Sequence, residues 1–91
     1  MSKEKVVLRI KASSSVKGVA GCIVNCYEES HAIELRCMGA SAVNQMVKSV
    51  AIARSILAAK GVYIAIIPGF EDVTENGETK TLVLAKVVEM R

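Results

Sequence analysis

Gly39 stands between an apolar strand pattern and a helical pattern whose polar side carries Asn44, Gln45 and Lys48 in place of carboxylates. A helix that begins at such a hinge presents unpaired backbone N–H groups and the positive end of its dipole to whatever lies in front of it. With two amides and an ammonium group in its opening turns, the chemistry on offer is binding of phosphate or another oxyanion. The plainer alternative is a solvated helix face, or an amide network that locks the helix to a neighbouring loop. A second candidate lies upstream, where Ser13, Ser14 and Ser15 precede another helical pattern. Hydroxyls at a helix start either cap its free N–H groups or help to cradle a phosphate, and the residue types admit both.

Other constellations carry less. Cys22 and Cys26 share a helical face at i, i+4, but zinc needs more ligands and His31 is the only histidine. Small thiols filling a helix–sheet core fit the pattern better. Nothing ties His31 to a cysteine and an orienting acid, so a nucleophilic site is not expected. Gly18 and Gly21 lack the spacing and acidic partner of a dinucleotide fingerprint, although a glycine pair there suggests a close approach to the backbone. Met38 and Met46 read as core. Arg36 either adds charge or pairs on the sheet near Glu34, and Arg54 serves a salt bridge or a ligand. The expectation is a protein that is not an enzyme and needs neither metal nor cofactor.

The elements that position these residues follow from periodicity. Lys5 to Ala12 alternates as a strand. From Val16 to Ser30 the apolar positions recur at helical spacing, and Ala32 to Met38 alternates again. Ala40 to Lys60 is a long amphipathic helix, with Val43, Met46, Val47, Val50, Ala53 and Leu57 on one side. Val62 to Ile67 is an apolar run that reads as a central or interface strand, broken or bent at Pro68 and Gly69. Asn76-Gly77 marks a tight hairpin before a last strand over Thr79 to Val88. The predicted class is α+β in the order β-α-β-α-β-β. This gives a four-stranded mixed sheet with two helices on one face.

The 91 residues are read as one domain, 52% hydrophobic but only 3% aromatic. A core of Val, Ile, Leu, Ala and Met follows, with enough apolar surface to suggest a homo-oligomer. Base stacking on exposed rings needs aromatics that the chain scarcely has, so any nucleic acid would be held through its backbone. The net charge of +3 is modest but lopsided. Lys3, Lys5, Arg9, Lys11 and Lys17 face a single acid, Glu4, whereas Glu71, Asp72, Glu75 and Glu78 stand without a cation. Three cysteines argue against a secreted disulfide framework. No secretory signal or membrane-spanning run is visible, so a cytoplasmic protein without membrane association is expected.

Met38-Gly39-Ala40, Ala42-Val43-Asn44-Gln45, Val47-Lys48 and Val50-Ala51-Ile52-Ala53-Arg54 closely resemble the signature of the stage V sporulation protein S family. Val19-Ala20-Gly21, Ile67-Pro68 with Phe70, and Val88-Glu89 with Arg91 match in order. That family is similar to the Alba-type fold, a two-layer sandwich whose small dimeric members bind DNA or RNA. The resemblance implies contact through the entry to the first helix, where Lys11, Ser14, Ser15 and Lys17 stand, and through Gly39, Asn44, Gln45 and Lys48. It also implies a homodimer and a role in sporulation or development. There are departures. Val16-Lys17-Gly18 replaces the usual Pro-Asn-Ser, and Cys22, Cys26 and Gly69 are unusual. The hairpin that Alba-type DNA binders extend as a basic arm is acidic here, which argues against duplex wrapping. The resulting expectation is a nucleic-acid-binding regulator, with a protein-interaction module as the alternative.

Overall fold

The computed structural model describes residues 4–90, so Lys3 and Arg91 lie outside it. The elements are β1 (Lys5–Ile10), α1 (Val16–Glu28), β2 (Ala32–Cys37), α2 (Ala40–Ala58), β3 (Ile64–Glu75) and β4 (Glu78–Glu89). They form one four-stranded sheet in the order β1-β2-β4-β3. β1 and β2 are parallel, joined by the α1 crossover, and the other pairings are antiparallel. The mixed sheet with two helices is therefore the expected architecture, with helix ends trimmed by about a turn or less.

Alternation assigns the faces of the sheet. Ile10, Ile33, Leu35, Cys37 and Ala85 turn towards the helices and are buried. Ala20, Ile23 and Val24 of α1, with Ala42, Met46, Val50, Ala53 and Leu57 of α2, close the core from above. Ser49 is the buried polar residue on α2, and its hydroxyl donates to the Gln45 carbonyl at 2.7 Å. The opposite sheet face carries Lys5, Glu34, Arg36 and Glu71 in a chain of ion pairs across three strands. Lys5 Nζ lies 3.0 Å from Glu34 Oε1, Arg36 Nη1 lies 3.3 Å from Glu34 Oε2, and Arg36 Nη2 lies 2.8 Å from Glu71 Oε2. Glu34 is only 6% exposed; a charge so placed requires these partners.

The third strand departs from expectation. β3 does not end at Pro68-Gly69 but runs twelve residues to Glu75, and it is an edge strand rather than a central one. The two facts are linked. Proline removes a ladder donor, which an edge strand tolerates on its outward side and a central strand does not. The hairpin turns at Asn76 and Gly77, with φ of 51° and 78°, the left-handed pair that a tight two-residue turn demands. Its distal half carries the exposed acids Glu71, Asp72, Glu75 and Glu78.

Candidate nucleic-acid interface

Parallel pairing of β1 with β2 sets Ile10 beside Cys37, so the chain leaves both strands at the same end of the sheet. The loop 11–15 and the Met38–Gly39 connection are therefore neighbours, and both helices start there. A side-chain bond ties the two segments: Gln45 Nε2 donates to the Ser14 carbonyl at 2.9 Å. Gln45 thus serves the amide network that locks the helix to a loop. Its role in the site is to hold the two helix starts together.

The serines do what caps do. The Lys11 N–H donates to Ser14 Oγ at 2.8 Å, and the Gly18 N–H donates to Ser15 Oγ at 3.1 Å. Capping is therefore the interaction seen, yet a hydroxyl that accepts one bond keeps its own proton to donate. Gly39 has φ 91° and ψ 158° at the N-cap of α2, where no side chain caps the first turn. Only glycine adopts that backbone region without strain. Neither helix has an acid in its first turn. In the sequence no Asp or Glu occurs between Glu4 and Glu28, or between Glu34 and Glu71. Neither dipole meets a carboxylate from its own first turn, while Glu75 of β3 shares a hollow with Lys11 and Met38.

Lys11, Lys17, Asn44 and Lys48 are exposed. Among the described residues, none of these three lysines takes part in a salt bridge. Arg36, by contrast, is committed to Glu71 and Glu34; their hydrogen bonds hold its guanidinium charged and leave it little to offer a ligand. Arg54 is exposed and forms no salt bridge among the described residues, so the structural pairing considered for it is not seen. Met38 is not core: it is 48% exposed and lines a hollow of about 420 Å³ with Arg9, Lys11 and Glu75.

Arg9 is the residue that motif reasoning passed over. It shares a sheet face with Lys5 and Arg36 and sits one residue before the buried end of β1; its odd position in the β1 alternation was the available signal. The cysteines split. Cys37 is buried, and burial pushes its thiol above the ordinary range. Cys22 is exposed, contrary to a shared core role. No cluster of three or more His, Cys, Asp or Glu suited to a metal occurs among the described residues. A Cβ added at Gly18 would meet Ser15 Oγ at 3.3 Å and one at Gly21 would meet nothing within 4 Å, so a close approach within the chain is seen at Gly18 and not at Gly21. No helix is long and apolar enough to cross a membrane.

These features define a small α+β sandwich with two helix starts locked side by side at one end of a four-stranded mixed sheet. Residues 6–90 match the sequence model of the family described as Stage V sporulation protein S (SpoVS), and the chain belongs to that family. Membership gives it a sporulation-related regulatory role.

Proposed function

We propose that the protein is a non-enzymatic regulator that binds nucleic acid, RNA or DNA, by its phosphate backbone at the joined helix starts. One observation carries this reading: the Gln45–Ser14 bond holds two acid-free helix N-termini in a common cradle. Lys11, Lys17 and Lys48 neutralise phosphates and release counterions. The Ser14 and Ser15 hydroxyls, Asn44, and the N–H groups following Gly39 fix the register without reading bases. With few cations, binding is modest in strength and salt-sensitive. A homodimer doubles the cradle, and the exposed Tyr63, Ile67 and Phe70 along the β3 edge supply apolar surface for such a contact.

The test is retention of labelled single-stranded RNA and duplex DNA at low salt by the native chain and by the Lys17→Glu, Lys48→Glu double variant. Loss of retention supports the reading; unchanged retention contradicts it. The second reading is a sporulation regulator that works through protein contact alone. The exposed acidic hairpin, with Phe70 80% exposed at its root, favours it. Under that reading the double variant keeps its regulatory effect, and hairpin variants lose theirs.

A further inference from the structure

β1 is the other edge of the sheet. It pairs with β2 on one side only, so alternate N–H and C=O groups on its outer side have no ladder partner among the described elements. α1 runs alongside that edge and leaves a groove of about 420 Å³. Leu8 and Ile10 of the strand and Val19 of the helix make it apolar, while Gly18 and Cys22 keep its helical wall low. No carboxylate lines it, and Arg9 does. The pleat sorts the strand further. Leu8 and Ile10 face the helix layer, whereas Lys5, Val7 and Arg9 face the open side of the sheet. A strand laid against β1 continues that alternation. One set of its side chains enters the apolar groove, and the other lies beside Lys5 and Arg9.

We propose that this edge receives an extended segment of a partner protein, alternating apolar and acidic residues, by β-strand addition. Main-chain bonds to β1 supply affinity, and the groove selects small apolar side chains. Arg9, which forms no salt bridge among the described residues, selects a carboxylate across the pair, Lys5 being held by Glu34. The chain's own acidic hairpin is a poor occupant. Glu71 is bonded to Arg36 and Asp72 accepts from Thr81 at 2.7 Å, so docking it would break pairs already made. A cationic edge repels another copy's β1 and admits an acidic strand, which is how a free edge is kept both soluble and selective.

The groove borders the proposed phosphate cradle, since Ser14 and Ser15 line it too, and the test keeps strand addition and nucleic-acid binding apart. The probe is a fluorescein-labelled heptapeptide alternating Glu and Val, titrated against the full chain by fluorescence anisotropy. N-methylation of one set of alternate backbone amides should abolish binding, and methylation of the other set should leave it intact. Cys22→Trp, which fills the groove from an exposed position, and Arg9→Glu should each weaken binding about tenfold. Lys48→Glu, outside the groove, should not change it, although the same variant weakens oligonucleotide binding. Equal affinity of the two methylated probes would reduce the effect to charge attraction and overturn the proposal. So would native affinity in a Cys22→Trp chain whose thermal melt shows it folded; if that variant does not fold, the two methylated probes on the native chain decide. Protection of the outward β1 amides from hydrogen exchange by oligouridylate but not by peptide would assign the groove to nucleic acid instead.

Discussion

Replacing Gln45 with leucine separates the geometry of the cradle from its charge. The substitution keeps the size and net charge of the chain but deletes the donor that reaches the Ser14 carbonyl at 2.9 Å. A hydrogen bond of this kind contributes about 1 kcal/mol net, and leaving the half-buried carbonyl unsatisfied costs roughly 1 kcal/mol more. For a domain of this size, a loss of about 1–2 kcal/mol lowers Tm by roughly 5–15 °C. The loop 11–15 is then free to move relative to α2, so oligonucleotide affinity should fall although every cation remains. Asn44→Ala is the control. Asn44 is exposed, and a surface substitution of that sort changes stability by no more than about 0.5 kcal/mol. Thermal melts by circular dichroism and anisotropy titrations with a labelled oligonucleotide read both effects. The reasoning is refuted if Gln45→Leu melts with the native chain, or if it melts early yet binds the oligonucleotide as before.

Two further outcomes follow from single features. Gly39→Ala should cost about 1–3 kcal/mol, read as a lower urea midpoint at constant m-value. The added Cβ meets nothing within 4 Å, so the cost is backbone strain rather than a clash. Glu34 is held below the ordinary carboxylate range, first by its hydrogen bond from Lys5 against the opposing cost of burial, and Glu71 is lowered by the hydrogen bond from Arg36. A carboxyl depressed in the folded state stabilises the protein above its unfolded value, and that stability is lost as pH falls through the folded one. Urea midpoints measured from neutral to acid pH should therefore decline. In Glu34→Gln the decline should be shallower, from a lower neutral value.

Much of the architecture was legible because it rests on local pattern. The span of α2, the hinge at Gly39 and the Asn76-Gly77 turn each depend on a few neighbouring residues and stand as expected, although Val47, expected on the apolar side of α2, is 51% exposed. What was not legible depends on pairing across the chain. The apolar Val62–Ile67 run suits a central strand by composition, and only the sheet order places β3 at the edge, where Pro68 ceases to be a breaker. The Lys5–Glu34–Arg36–Glu71 chain joins three strands and needs their register. In the candidate site, residue types marked Gln45 and the serines, but their hydrogen bonds depend on which loops adjoin. The Ile10–Cys37 register decides that. Met38 looked apolar enough for the core, yet it stands one residue past Cys37, where alternation turns a side chain away from the face that buries Ile33, Leu35 and Cys37.

The salt dependence of oligonucleotide affinity tests the phosphate-cradle account most directly. For a single strand held by Lys11, Lys17 and Lys48, log K should fall against log salt with a slope of about −2 per protomer, and each Lys→Ala substitution should make that slope shallower by about 0.7. A slope near zero, or one that Lys17→Ala and Lys48→Ala leave unchanged, would contradict it.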